Sequence, residues 1–189
     1  DFYETFNEDA EIAARVLNIT CTSRKMQGED RWAMAGVPHH SVNSYLARMV
    51  RAGYKCAVVD QMEEPNGKLV ERAVTRVLTP GTIVEPNMLD ARRNNYLASL
   101  YRAGTHMGVA LLDLSTGEFM VEQSEQPEPL REHLARQLPA ECVLPSEQAQ
   151  DPALRAILEG CLQASVVTHE DWVFEPGAAR EALIRHFGV

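Results

Sequence analysis

The alternation of apolar and polar positions along the chain predicts a sequence of short helices and strands. In "NEDAEIAARVLN" acidic residues crowd the start, and Ile12, Val16 and Leu17 fall at helical spacing. This predicts an amphipathic helix with negative charge at its positive dipole end and Asn7 as its cap. "ITCTSRKM" alternates and is rich in Thr, so it reads as a strand. A turn at Gln27-Gly28-Glu29-Asp30 and a second strand at "RWAMAGV" complete a hairpin with basic residues near its tip. In "PHHSVNSYLARMVRAG", Val42, Tyr45, Leu46, Met49 and Val50 share one helical face, and Gly53 supplies the stop. "YKCAVVDQM" suits a buried strand, and "VERAVTRVLTPG" alternates as another before a Pro80-Gly81 turn. Strand and helix alternate, so this part is α/β.

"VEPNMLDARRNN" has the Pro, Asn and charge content of a connection, or of a short surface helix, and after it the pattern restarts. "YLASLYR", "MGVALLDLS" and "GEFMVEQS" are successive strands. They are followed by a helix at "PEPLREHLARQL", a strand at "AECVLP", a helix at "DPALRAILEG", a strand at "ASVVTH" and a closing helix from Gly177 onward. Three antiparallel strands and then alternating helix and strand is the order of an RNase H-like α/β domain. The expected division is a first domain over residues 1–87, a linker over 88–95 and a second domain over 96–189.

Composition narrows the functions. A chain of 189 residues with 45% hydrophobic content fills a real core. Its net charge of −9 argues against gripping nucleic acid through overall charge. The acidity is uneven: residues 1–90 carry ten basic and thirteen acidic groups, residues 91–189 eight and fourteen. Residues 12–28 hold Arg15, Arg24 and Lys25 and no acid, so a polyanion would meet the first half. Cys21, Cys56, Cys142 and Cys161 form no C-x-x-C pair and read as buried free thiols of a reducing cytoplasm. No signal peptide or membrane span is visible, so the expected location is cytoplasmic with no membrane partner. The chain starts and stops in mid-pattern, which reads as an excised piece of something longer.

Several residues carry candidate chemistry. In "LLDLSTGE", Asp113 stands near a strand end ahead of a Gly turn, where RNase H-like nucleases hold a divalent ion with several converging oxygens. The companions on offer are Glu141 and the pair Glu170-Asp171; the other reading is a turn aspartate bonded locally. His39 and His40 beside Pro38 point in different directions if helical, which favours packing or capping, with one polar contact to a ligand as the alternative. G-x-S-x-G, G-x-x-x-x-G-K-[ST] and G-x-G-x-x-G are all absent.

What remains is the opening, "DFYE". In an extended segment Phe2 and Glu4 project from one face. An apolar wedge inserted from the minor groove kinks a duplex at a cost of a few kcal/mol. The cost is least where pairing is already faulty. A carboxylate beside it opposes ordinary duplex and favours a base edge turned toward it. The other reading is a short alternating strand with Phe2 in the core.

The blocks "DFYETFNEDAEIAARVLNITCTSRKM", "MAGVPHHSVNSYLARMVRAG", "VERAVTRVLTPGT" and "NNYLASL" resemble, in order and spacing, the N-terminal region of the bacterial MutS family of DNA mismatch-recognition proteins. The likeness continues more loosely through "GVALLDLSTGEF", "PAE" and "FGV". It implies a mixed-sheet mismatch-binding domain followed by an RNase H-like α/β connector. Phe2 would stack on a mispaired or unpaired base and Glu4 would hydrogen-bond it. Arg24 matches the family's T-x-R segment as a contact to the DNA backbone, with Lys25 as a second candidate. The implied partners are mismatched or looped duplex DNA, MutL, and a second copy in a homodimer of the parent protein. ATP and Mg belong to a family ATPase domain that, like the core, lever and clamp domains, is missing from the chain. The chain itself is then expected to be no enzyme, with no cofactor, metal or catalytic residue, and with both ends truncated. The alternatives are an RNase H-like metal-dependent nuclease using Asp113, and a non-DNA-binding interaction scaffold in which Phe2 is core.

Overall fold

The computed structural model describes residues 1–25, 31–63, 70–161 and 163–188, and the turn expected at Gln27 to Asp30 lies outside them. The chain forms two compact units, Asp1–Thr79 with Glu85–Met88, and Pro80–Val84 with Leu89–Val189.

The first unit runs β1 (Phe2–Phe6), α1 (Asn7–Leu17), β2 (Thr22–Lys25), β3 (Arg31–Pro38), α2 (Val42–Arg51), β4 (Cys56–Gln61) and β5 (Arg72–Leu78). β1, β3 and β2 form an antiparallel sheet with β3 in the middle, and β4 and β5 form a separate antiparallel ribbon. The odd positions of β1 and β3 turn inward, where Tyr3 and Val37 pack with Ala13 and Leu17 of α1 and with Tyr45 and Met49 of α2. Glu8 and Asp9 occupy the first turn of α1, as the dipole favours. Asn7 does not cap it: Phe6 holds the cap position, and Asn7 enters the helix at φ 54°, a conformation its short polar side chain tolerates. Before α2, Pro38 holds the chain extended and His39–Ser41 make a single tight turn, so α2 starts at Val42, the first residue of its apolar face.

The connection over residues 84–95 is a series of turns without a helix. Met88 is buried there, and its carbonyl accepts from the Arg51 guanidinium at 3.1 Å.

The second unit contains β6 (Tyr96–Ala103), β7 (His106–Asp113), β8 (Glu118–Ser124), α3 (Pro127–Gln137), β9 (Glu141–Pro145), α4 (Pro152–Leu158), β10 (Ser165–His169) and α5 (Pro176–Phe187). Its sheet has the order β10-β9-β6-β7-β8. β6, β7 and β8 are antiparallel neighbours, while β9 runs parallel to β6 and β10 parallel to β9. This is the RNase H-like arrangement. Leu100, Val109 and Leu111 of the sheet pack with Leu130 and Leu134 of α3 and Leu154 and Ile157 of α4. α4 starts on Pro152, with the Asp151 carboxylate accepting from the amides of Ala153 and Leu154. Of the four thiols, Cys142 and Cys161 are buried as expected, whereas Cys56 is half-buried and Cys21 is exposed on the way into β2.

Candidate nucleic-acid interface

The strand register decides which side chains share the outer face of the first sheet. Phe2 lies opposite Pro38, Glu4 opposite Gly36 and Phe6 opposite Met34; across β3, Thr22 lies opposite Met34 and Arg24 opposite Trp32. Directly opposed residues project from the same face, so Phe2, Glu4, Gly36, Trp32 and Arg24 share the face away from α1. Phe2 is 65% exposed. The reading of Phe2 as a core residue is therefore corrected: the inward place in β1 belongs to Tyr3.

Gly36 forms the floor between the two β1 side chains. A Cβ there would lie 3.5 Å from Phe2 Cδ1 and 3.9 Å from Glu4 Cγ. Glu4 is matched by Arg24, whose guanidinium donates to its carboxylate at 3.2 Å. Trp32, 40% exposed, meets the Phe6 ring edge-on at a centroid distance of 6.5 Å. The structure thus brings Phe2, Glu4 and Arg24 together. Lys25 stands apart, because the next residue of a strand points to the opposite face.

Under β1 lies a polar cluster that the sequence reading missed. The Tyr3 hydroxyl donates to one oxygen of Asp60, and the Thr75 hydroxyl donates to the other. These two bonds hold the Asp60 carboxyl below its ordinary range, Thr75 contributing most; the bond to Asp60, followed by burial, pushes the Tyr3 phenol up. The His39 ring stacks on Tyr3 with centroids 5.3 Å apart and planes 14° from parallel. His39 thus packs on Tyr3, although it is exposed, as is His40 beside it.

In the second unit each candidate ligand of a metal is engaged elsewhere. Asp113 is fully buried. It accepts from the Ser115 hydroxyl at 2.6 Å, from the amides of Ser115 at 2.8 Å and Thr116 at 3.3 Å, and from the Asn95 amide at 3.0 Å. Burial by itself would raise its pKa, but these donors outweigh burial and hold the carboxyl below its usual range. Glu141, also buried, accepts from the Gly81 amide at 2.9 Å. Glu170 accepts from the Trp172 indole, and Asp171 from the Glu147 amide at 3.0 Å. Among the described residues no group of three or more His, Cys, Asp or Glu side chains converges as metal ligands would. Asp113 is thus bonded by the turn residues Ser115 and Thr116 and, from farther along the chain, by the Asn95 amide.

An exposed aromatic beside an ion pair on one sheet face, and an RNase H-like sheet in the next unit, define a tandem of two α/β modules. The family model described as MutS domain I matches residues 1–87, and that described as MutS domain II matches residues 95–189. The chain belongs to the MutS family. A protein named DNA mismatch repair protein MutS from Dehalococcoides mccartyi (strain CBDB1) is 43% identical over 189 residues, covering 99% of this chain and 21% of the relative. Proteins of the same name from Methanothrix thermoacetophila and Symbiobacterium thermophilum are 50% identical over 149 residues and 42% identical over 199. They cover 77% and 100% of this chain, and 17% and 22% of the relatives. The chain spans about a fifth of the length of the curated relatives it matches. No helix among the described residues is long and apolar enough to cross a membrane.

Proposed function

We propose that this chain recognises mispaired or unpaired bases in duplex DNA, with Phe2 as a minor-groove wedge and Glu4 as the contact to the base edge. The observation that carries this is the exposure of the Phe2 ring on the same strand face as Glu4. A large aromatic held in water on a hydrogen-bonded strand is pre-ordered for insertion, so little ordering remains for binding. Unstacking a normal step costs a few kcal/mol, and a faulty step less, which makes the wedge a reader of deformability. Arg24 neutralises Glu4 until DNA arrives and then turns to a phosphate. Lys25, on the opposite face, serves the backbone only where DNA reaches around the edge of β2.

In this reading the first unit recognises the fault and the RNase H-like second unit relays it, without chemistry of its own. The family membership supports placing ATP hydrolysis with Mg, the clamp and the homodimer contacts in the further parts of a protein as long as the relatives, with MutL as a partner of the relay. The test is equilibrium binding of the complete protein, at one salt concentration, to a duplex with one unpaired T and to the same duplex fully paired. A clear preference for the first is expected; equal affinities count against the reading.

A further inference from the structure

We propose that Asp60 is a positioning residue for mismatch recognition: by holding Tyr3 it fixes β1 in the register that presents Phe2 and Glu4 on the outer face. The inference rests on the reading of those two side chains as the contact to the faulty base, and deepens it.

Tyr3 sits between Phe2 and Glu4 and points the other way, so whatever holds Tyr3 sets the aim of both neighbours. β1 is only five residues long, and among the described strands it pairs with β3 alone, leaving its other edge without a ladder. A one-residue slip of such a strand would send Phe2 inward and Tyr3 outward. The Tyr3–Asp60 bond opposes that slip from outside the sheet, joining β1 to the β4–β5 ribbon across 57 residues of sequence.

Asp60 is itself aimed. In the ribbon Val58 pairs with Arg76 and Val59 with Val74, so Thr75 is the residue left over at a β-bulge. Bulges re-aim side chains, and here the Thr75 hydroxyl is turned onto the Asp60 oxygen that Tyr3 does not use. Both carboxylate oxygens are thereby occupied by hydroxyl donors, and the lowered pKa of Asp60 agrees with a charged acceptor there. On the remaining side His39 stacks on the Tyr3 ring, while its amide donates to the Asp1 carbonyl at 3.0 Å, closing the start of the strand.

The test uses Tyr3→Phe and Asp60→Asn in the complete protein, with Phe2→Ala as the reference for the wedge. Tyr3→Phe keeps the ring in the core and removes only the hydroxyl, which guards against a variant that fails to fold. Four quantities are read: affinity for perfect duplex, the preference for a duplex with one unpaired T, hydrogen exchange at the β1 amides without DNA, and the unfolding midpoint. Both variants are expected to lose preference about tenfold, the order expected when a charge-assisted hydrogen bond that aims the wedge is lost. Perfect-duplex affinity should stay within about twofold and β1 exchange should rise, since backbone contacts lie elsewhere. Preference retained in both variants, while Phe2→Ala loses it, overturns the proposal and leaves the wedge standing. A parallel fall of both affinities with the unfolding midpoint also overturns it, because that is the mark of a merely structural tie. Preference retained in Phe2→Ala overturns the wedge reading itself, and the positioning role with it.

Discussion

Arg24 and Glu4 meet at 3.2 Å on the outer face of the first sheet, one from each flanking strand, with β3 between them. Both side chains are substantially exposed, 56% and 35%, so the pair contributes little to folding and opens readily. Under the DNA contact proposed above, the two partners have separate effects on binding. Arg24→Ala should change stability by less than about 1 kcal/mol. It should weaken binding to mismatched and perfect duplex alike, and lower the slope of log K against log salt by about 1, as expected for one lost phosphate contact. Glu4→Ala should act in the opposite sense on perfect duplex: affinity rises as a like-charge repulsion is removed, while affinity for the faulty duplex falls. Titrations of both duplexes across a salt series check both variants.

The buried Asp113 gives the second unit an acid-sensitive joint. Its folded pKa lies below the ordinary carboxylate value, so the stability it contributes is fully present above about pH 4. That contribution is lost as pH falls through the depressed folded value. Asp113→Asn keeps one acceptor but loses the charge, and should cost about 1 to 3 kcal/mol at neutral pH. The difference between wild type and variant should shrink below pH 4. Urea midpoints measured from pH 7 down to pH 2 show this; a gap that widens toward acid would reverse the assigned sign.

Gly81 is held by close approach. A Cβ at this position would lie 2.9 Å from Glu141 Cβ and 3.0 Å from Leu97 Cδ1, at the ends of β9 and β6. Gly81→Ala should therefore destabilise the second unit by about 1 to 3 kcal/mol through overpacking. It should also strain the bond from the Gly81 amide to Glu141. Hydrogen exchange should rise in the second unit and stay unchanged in β1 to β5.

Much of this was legible in the chain. The 3.6-residue and two-residue periods located the helices and strands, and their order in the second half marked an RNase H-like sheet. "DFYE" placed Phe2 and Glu4 on one face because alternation is local. The same alternation rule separates Arg24 from Lys25 in β2, a distinction the sequence alone contained. What the chain did not disclose is pairing over distance. Nothing local sets Gly36 opposite Glu4, or joins Tyr3 to Asp60, or brings the Asn95 amide to Asp113. The local donors Ser115 and Thr116 were readable as a turn, whereas the burial of Met88 in a stretch rich in Pro, Asn and charge was not. Tertiary packing overrode composition there.

The thiols should react in the order of their exposure. Cys21 is exposed and should be alkylated first at pH 7.5. Cys56 is half-buried and its pKa is raised, by burial first and by the Asp9 charge second, so it should react more slowly. Cys142 and Cys161 lie in the core of the second unit and should react only on unfolding. Timed labelling followed by peptide mass mapping gives the order, and early labelling of Cys142 would contradict the packing of that core.

The most direct measurement concerns Phe2. The complete protein and its Phe2→Ala variant would be titrated at one salt concentration with a G·T duplex, a duplex with one unpaired T, and perfect duplex, with the unfolding midpoint measured in parallel. Loss of the preference in a variant that folds as the parent does, with affinity for perfect duplex retained, is the result expected of a wedge. A preference that survives the loss of the ring would mean that the fault is read by something other than Phe2.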